Sequence, residues 1–412
     1  MGKAALKNKI FDSEILDELN RCSACGTCHS VCPVYNLTGD DSLSARGRIH
    51  ILKAIAEGEI DSSKVGRGIF DRCLLCYACE TTCPSGVSTS KIWIKAREYF
   101  SRSIGSGVKG EALRVISKDK TLPRLMAVGQ MAQRIIPGMH SREGVFRPKL
   151  ADRFLLDELP NVVPAKGEKK YRVGYFVGCV SNFFLSEIGI AAIEVLSALG
   201  CEVVIPKGQV CCGAPAFNNG EMEAAQRLAR RNVEVFLEAG VDYIVSADAT
   251  CGGSFAHEYK QIIDSVDLYE EFASKYREIH GLILELGLEG KLKPVPAKVT
   301  YHDSCHLRHT QGVWRAPREI LKTLPGVEFR EMADADLCCG FGGSFSLFHG
   351  GDSTRISGDK LENAIACGAE EIAAGSPGCI LKLREEAAVK NLPVKVKHTL
   401  QFVRERMDGV GH

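Results

Sequence analysis

Two cysteine runs in the first quarter of the chain carry chemistry on their face: Cys22-Ser-Ala-Cys25-Gly-Thr-Cys28-His-Ser-Val-Cys32-Pro33 and Cys73-Leu-Leu-Cys76-Tyr-Ala-Cys79-Glu-Thr-Thr-Cys83-Pro84. Both read C-x2-C-x2-C-x3-C-P, the ligand run of a protein that carries two iron–sulfur clusters. Three thiolates at this spacing wrap one cluster. The fourth lies a turn further on, its proline turns the chain away, and it serves the other cluster. The spacing therefore assigns one 4Fe-4S cubane to Cys22, Cys25, Cys28 and Cys83, and a second to Cys73, Cys76, Cys79 and Cys32. Crossed ligation of this kind forces the two clusters close together. Structural zinc is the alternative; it uses pairs of C-x2-C to make tetrahedral fours, and two triplets each closed by C-x3-C-P fit that count badly.

A second constellation follows. Cys179, the pair Cys211-Cys212 and Cys251 recur as Cys305, the pair Cys338-Cys339 and Cys379, at offsets of 126, 127 and 128 residues. Offsets this regular imply a duplicated domain, its copies related by a pseudo-twofold axis. An adjacent Cys-Cys taken alone serves equally as a structural thiol pair or a redox disulfide. The duplication and the flanking cysteines favour metal, and four thiolates per copy suffice for a cluster. Glycines stand beside them (Gly178, Gly213, Gly252, Gly253; Gly340, Gly342, Gly343), where backbone without a Cβ can approach a bulky cluster and offer N–H groups to its sulfides. His302, His306 and His309 bracket Cys305, either to tune a cluster and handle protons or as ordinary polar residues at a strand end. Cys201 and Cys367 fall outside the pattern and read as small buried apolar side chains.

The elements that must position these thiols differ between the two parts. Residues 42–57 show apolar side chains at helical spacing behind a capping serine, and 87–100 reads as another helix. No strand-like alternation appears there, so residues 1–105 are expected to form a helical ferredoxin module. Residues 106–170 read as a linker. It opens on a flexible stretch at 103–110 and contains an amphipathic helix at 122–136 stopped by Pro137-Gly138. The apolar face of that helix (Leu125, Met126, Val128, Met131, Ile135) is expected to pack on its own domain, the alternative being a partner or a membrane surface. From Tyr171, short apolar strands at 172–177, 202–205 and 242–246 alternate with helices near 186–199 and 220–239, the texture of an α/β domain with a mainly parallel sheet. A strand at 299–302 opens the second copy. Loops at the carboxyl ends of parallel strands converge, so the three cysteine loops of each copy should meet at one point. The expected fold class is α+β and multidomain: the helical two-cluster domain, the linker, and duplicated α/β domains at 171–296 and 297–412.

Composition bounds the rest. The 412 residues are 45% hydrophobic and 25% charged, with a net charge of +1, a balance that argues against a nucleic-acid partner. Eighteen cysteines grouped as metal ligands point to a reducing compartment. Met1 to Lys9 lacks the apolar core of a signal peptide, and no apolar run approaches the ~18 residues needed to span a bilayer. The chain is expected to be cytoplasmic, soluble or peripheral at the inner face of the membrane. Gly340-Phe-Gly-Gly is not a dinucleotide-binding turn, so the chain is not expected to oxidise an organic hydride donor by itself.

Three stretches carry a resemblance: Leu-Cys338-Cys339-Gly-Phe-Gly-Gly-Ser-Phe-Ser-Leu followed by Ile356-Ser-Gly-Asp-Lys360; Gln209-Val-Cys211-Cys212-Gly-Ala-Pro-Ala-Phe-Asn-Asn-Gly; and Ser-Ala-Arg46-Gly-Arg48-Ile. With the cysteine layout, they resemble the cysteine-rich CCG domain pair of the heterodisulfide reductase catalytic subunit. They also resemble the iron–sulfur subunits of glycolate oxidase, anaerobic glycerol-3-phosphate dehydrogenase and the lactate utilisation system. The resemblance implies an electron-transfer subunit in a hetero-oligomeric complex. Its donor would be an FAD-containing dehydrogenase subunit acting on a 2-hydroxy acid such as lactate or glycolate, and its acceptor a quinone or another membrane-bound carrier. It also implies one or two further iron–sulfur clusters in the CCG domains. One departure matters. The family motif ends in C-x2-C, and the corresponding residues here are Asp248-Ala-Thr-Cys251 and Ser376-Pro-Gly-Cys379. Each copy keeps four cysteines instead of the five that hold a disulfide-cleaving cluster in heterodisulfide reductase, with Asp248 or Ser376 left to supply oxygen ligation. Three rival readings remain: a catalytic subunit reducing a disulfide or quinone at a CCG cluster, a module of an electron-bifurcating or acyl-CoA-reducing assembly, and a structural zinc protein.

Overall fold

The computed structural model describes residues 11–103, 105, 107–118, 121–136, 141–288 and 292–407. Met1 to Lys9, Pro137-Gly138, part of the 103–110 stretch and the end of the 297–412 unit lie outside the described residues.

The cysteine runs sit in an all-helical module. Asp12 caps Ser13–Arg21 by accepting from the Ile15 N–H at 3.0 Å, and Ser44 caps Ala45–Glu57 by accepting from the Gly47 N–H at 3.0 Å. Thr89–Ser103 is the third long helix. Ile15, Leu19, Leu52, Phe70, Trp93 and Phe100 fill the space between them, which leaves the cysteines on the short turns that join the helices. Those turns share a backbone pattern. Ala24 and Leu75, at matching places inside the first C-x2-C of each run, have φ of 58° and 50°, and Gly26 and Tyr77, directly after the second cysteine, have 81° and 63°. Left-handed backbone costs a non-glycine residue about 1–2 kcal/mol, so its recurrence at matching positions marks one winding imposed on both runs.

Among the described residues the C-terminal part contains eight strands: β1 Val162–Val163, β2 Tyr171–Phe176, β3 Cys201–Val204, β4 Tyr243–Ser246, β5 Ala297–His302, β6 Val327–Phe329, β7 Glu371–Ala374 and β8 Lys395–His398. They form two four-stranded sheets, ordered β1-β3-β2-β4 and β6-β5-β7-β8. Every pairing is parallel except that of β1 with β3. The central strands β2 and β5 are buried on both faces, β2 at Val173 and Tyr175 on one and Phe176 on the other, β5 at Val299 and Tyr301 on one and Thr300 and His302 on the other, as a parallel sheet with helices on each side requires. Two features differ from a simple tandem of domains. The first sheet takes its edge strand β1 from the 106–170 segment. The helix Thr399–Arg406 of the second copy packs on Ser186–Ala198 of the first, and one apolar core, including Val173, Leu196, Val299, Leu361 and Phe402, runs through both copies.

The helix Thr121–Ile135 reverses the expected orientation. Its glutamines face inward: Gln130 donates to the carbonyls of Ala151 and Asp152, and Gln133 donates to Pro148 while accepting from the Leu150 N–H. The extended segment that returns beneath the helix needs these amides for its backbone groups. Leu125, Val128, Met131 and Ile135 are left 45–73% exposed. Among the described residues no helix is long and apolar enough to cross a membrane.

The helical module is clamped onto both copies. Buried Arg97 donates to the carbonyls of Phe70, Cys73 and Asn218, Arg67 donates to the Asn219 carbonyl at 3.2 Å, and Arg72 pairs with Asp352. At Gly342, with φ of 49°, a Cβ would stand 2.5 Å from Leu74 Cδ2. Substituting Gly342→Val should therefore cost about 1–3 kcal/mol through overpacking and backbone strain. Adding Leu74→Ala should recover part of that loss, read as denaturant midpoints in a double-mutant cycle.

Candidate metal centres

Each copy brings its four thiols into one chain of contacts. In the first, Cys179 meets Cys211, Cys211 meets Cys212, and Cys212 meets Cys251. In the second the order is the same: Cys305, Cys338, Cys339, Cys379. The strands explain the convergence. Cys179 and Cys305 follow the carboxyl ends of β2 and β5, Cys251 and Cys379 follow β4 and β7, and the Cys-Cys pairs lie on the loops after β3 and β6. Neighbouring sulfurs and burial push Cys211, Cys212, Cys251, Cys305, Cys338 and Cys339 up, Cys212 to about 12. Crowded buried thiolates repel one another and lack water.

In the helical module Cys73 acts electrostatically on Cys32 and Cys79, and Cys79 and Cys73 act on Cys76. Cys32 thus stands among the cysteines of the second run. The Ser23 and Ser85 hydroxyls lie 3.2 Å apart and Arg21 donates to the Gly86 carbonyl, which draws the Cys83 turn beside Cys22. Cys25 is exposed and Cys28 half-buried. Cys76 also acts on Cys305 and Cys338, so the second run abuts the second copy.

A cavity of about 150 Å³ lies where the module meets both copies, lined by Cys73, by Cys179, Cys212 and Cys251, and by Cys305, Cys338, Cys339 and Cys379. A second cavity, of about 310 Å³, opens onto Cys179 and Cys211 beneath Leu122 and Pro123. The two residues standing in for the family's missing cysteines touch: Ser376 Oγ donates to Asp248 Oδ1 at 3.3 Å between the two copies. Burial raises the Asp248 carboxyl to about 6. Of the glycines, Gly178 faces the thiols, its missing Cβ 3.4 Å from Cys251 Sγ. Gly253 instead permits contact between the copies, since a Cβ there would meet Thr310 Oγ1 at 2.7 Å.

The histidines separate. His306 Nδ1 lies 3.4 Å from Cys305 Sγ, His309 Nδ1 lies 2.8 Å from the Thr81 hydroxyl of the helical module, and His302 stands beside Cys339 and Cys379 rather than Cys305. Burial holds His302 well below the usual histidine range. Cys201 is fully buried at the start of β3; Cys367 is half-buried against the shared core. Sequence reasoning missed Glu258, buried under the module, which accepts from the Tyr77 hydroxyl at 3.2 Å and from Ser254 Oγ at 2.7 Å. It also missed Tyr175 and Tyr301, fully buried with unpaired hydroxyls; the 126-residue offset that relates Cys179 to Cys305 would have paired them.

A helical dicluster module clamped over a duplicated cysteine-rich α/β unit defines a class of iron–sulfur protein. Residues 18–87 match the 4Fe-4S dicluster domain, and 173–256 and 299–384 match the cysteine-rich CCG domain. Lactate utilization protein A of Bacillus subtilis is 32% identical over 57% of this chain and all of its own length. A probable glycolate oxidase iron–sulfur subunit from the same organism is 29% identical over 96% of this chain and 95% of its own. The glycolate oxidase iron–sulfur subunit of Escherichia coli K12 is 28% identical over 95% and 94%. A hypothetical protein from Helicobacter pylori shares the fold at a TM-score of 0.50 and 8% identity, over 97% of this chain and 74% of that one. The chain belongs to the family of CCG-domain iron–sulfur subunits that contains lactate utilization protein A and the glycolate oxidase iron–sulfur subunits.

Glu258 gives a pH prediction. Burial raises its carboxyl from the ordinary 4.5 to about 7, so the folded state binds a proton that the unfolded chain has released. Stability should fall as pH rises from about 4.5 through 7, by roughly 3 kcal/mol for a shift of this size. Glu258→Gln should flatten that slope in urea titrations between pH 5 and 8.

Proposed function

We propose that this chain is the electron-carrying subunit of an oxidoreductase complex. It would take electrons from an FAD-containing 2-hydroxy-acid dehydrogenase subunit and deliver them toward a quinone or another acceptor. The observation that carries the reading is the succession of neighbouring thiols from Cys22 and Cys28, through Cys32 and the second run, to Cys305 and Cys338. In this reading Cys22, Cys25, Cys28 and Cys83 hold one 4Fe-4S cluster and Cys73, Cys76, Cys79 and Cys32 the other. Cys179, Cys211, Cys212 and Cys251, and Cys305, Cys338, Cys339 and Cys379, hold iron in the two copies. The donor set suits iron: soft sulfur in largely apolar surroundings. The bound clusters supply one-electron storage at potentials the surroundings tune. The chain's own part is to exclude water from the inner sulfurs, to fix their spacing by the crossed turns, and to clamp module against copies through Arg97.

The disulfide- or quinone-reductase alternative draws support from the shared cavity, which is lined by cysteines of both copies. Reduction of a disulfide by the isolated chain with an artificial donor would favour it. The apolar face of Thr121–Ile135 serves as a contact for the rest of the complex.

Anaerobic iron and sulfide analysis with low-temperature paramagnetic resonance tests the main reading. Cys25→Ser should remove about four irons and one ferredoxin signal. Cys339→Ser should spare both ferredoxin signals while stopping delivery to the acceptor. A colourless, iron-free chain that is fully active would refute the proposal, and unchanged turnover in Cys339→Ser would reduce the second constellation to a structural role. Joint Val128→Glu and Met131→Glu substitutions, both at exposed sites, should shift stability by only ~0.5 kcal/mol or less each. They should nonetheless abolish copurification with the partner subunit.

A further inference from the structure

His302 ends β5 with its side chain fully buried, and neither ring nitrogen has a hydrogen-bond partner. A polar group left so is destabilising, and the cost persists unless something outside the polypeptide satisfies it. One ring nitrogen, Cys339 Sγ and Cys379 Sγ all lie within 4.8 Å of one another. The Ala335 carbonyl lies close enough to act on the ring, though outside hydrogen-bond geometry. That is the kind of neighbour that orients a metal-bound imidazole by accepting from its other N–H.

The first copy lacks this group. The residue 126 positions earlier is Phe176, packed edge-on against Phe255 in an apolar cluster. The second copy also lacks an oxygen donor of the kind Asp248 offers, because its counterpart Ser376 spends its hydroxyl on Asp248. Both copies therefore depart from the five-cysteine family pattern, and only the second places an unpaired nitrogen among its thiols.

We propose that His302 is a ligand of the iron centre of the second copy, bound together with Cys339 and Cys379, so that the two copies hold chemically different centres. The proposal rests on the reading that the second copy carries iron. Imidazole with thiolates suits iron, and replacing thiolate by imidazole raises the potential of an iron–sulfur centre. The second copy would then hold electrons more tightly than an all-thiolate counterpart.

The test is Mössbauer spectroscopy and metal analysis of the full chain, purified without oxygen and enriched in ⁵⁷Fe, for wild type and the variants His302→Gln, His302→Cys and Cys339→Ser. The wild type should show an iron site distinct from those with sulfur ligation alone. His302→Gln should lose that site and the iron of one centre while both ferredoxin signals remain. His302→Cys should keep the iron, with the distinct site shifted to all-sulfur values. An iron count and spectrum unchanged in His302→Gln, with that iron lost in Cys339→Ser, would make His302 a packing residue and overturn the proposal alone. Iron retained in full by Cys339→Ser would instead remove the underlying reading, and the proposal with it. Should His302→Gln fail to fold, the wild-type spectrum and His302→Cys decide the matter.

Discussion

Buried sulfur repels buried sulfur, and the architecture follows from that. Within each copy four thiols touch in sequence, and neighbouring sulfurs together with burial raise Cys251, Cys305, Cys338 and Cys339 far above the ordinary thiol range. As anions they would repel strongly in a medium that screens poorly. The polypeptide alone can hold them only as neutral thiols; holding them as thiolates requires bound positive charge. Few cations of the chain itself reach the sites. Arg97 spends its donors on carbonyls, including that of Cys73, and Lys360, buried near Cys338 and Cys339, donates to the Asp334 carbonyl. The left-handed turns in the helical module meet the same demand by another route, with backbone strain accepted at Ala24, Leu75 and Tyr77 so that sulfurs converge.

What could be read from the sequence was whatever has a local period. Ligand spacing is local, and so are the helix caps at Ser44 and the alternation that separates sheets from helices. The duplication was legible because insertions between the copies are small. What escaped depended on partners remote in sequence. The linker helix was expected to turn its apolar side inward, because nothing in 122–136 reveals that the backbone at 148–152 needs the amides of Gln130 and Gln133. The short strand β1 was absorbed into the linker, since two valines carry no periodicity. The contact of Asp248 with Ser376 joins residues 128 apart. The sequence marked both as stand-ins for cysteine without revealing that they meet.

The two copies share a three-strand order, β3-β2-β4 and β6-β5-β7, but neither the fourth strand nor a role in the packing. The second faces the helical module: Cys305 and Cys338 lie beside Cys76, and Gly342 admits Leu74. The first turns Cys179 and Cys211 toward a separate cavity under the linker helix. Between them stand Asp248 and Ser376, two polar side chains at the positions where the family pattern puts further cysteines.

That arrangement gives the duplication a direction. A duplicated pair in isolation has similar halves, and the duplication by itself favours neither as the entrance. Docking the helical module breaks the equivalence, because its second run sets Cys76 beside Cys305 and Cys338 of the second copy but meets the first through Tyr77 and Glu258. With Cys305 and Cys338 beside the module's thiols and Cys179 and Cys211 opening onto a separate cavity, substitutions in the two copies are under different demands. An imidazole beside Cys339 and Cys379 affects only the copy next to the module, and the apolar Phe176 at the matching place affects only the copy next to the outer cavity. The asymmetry of sequence therefore tracks the asymmetry of contact. A carrier that must accept at one end and release at the other needs that difference, which two identical sites would not provide.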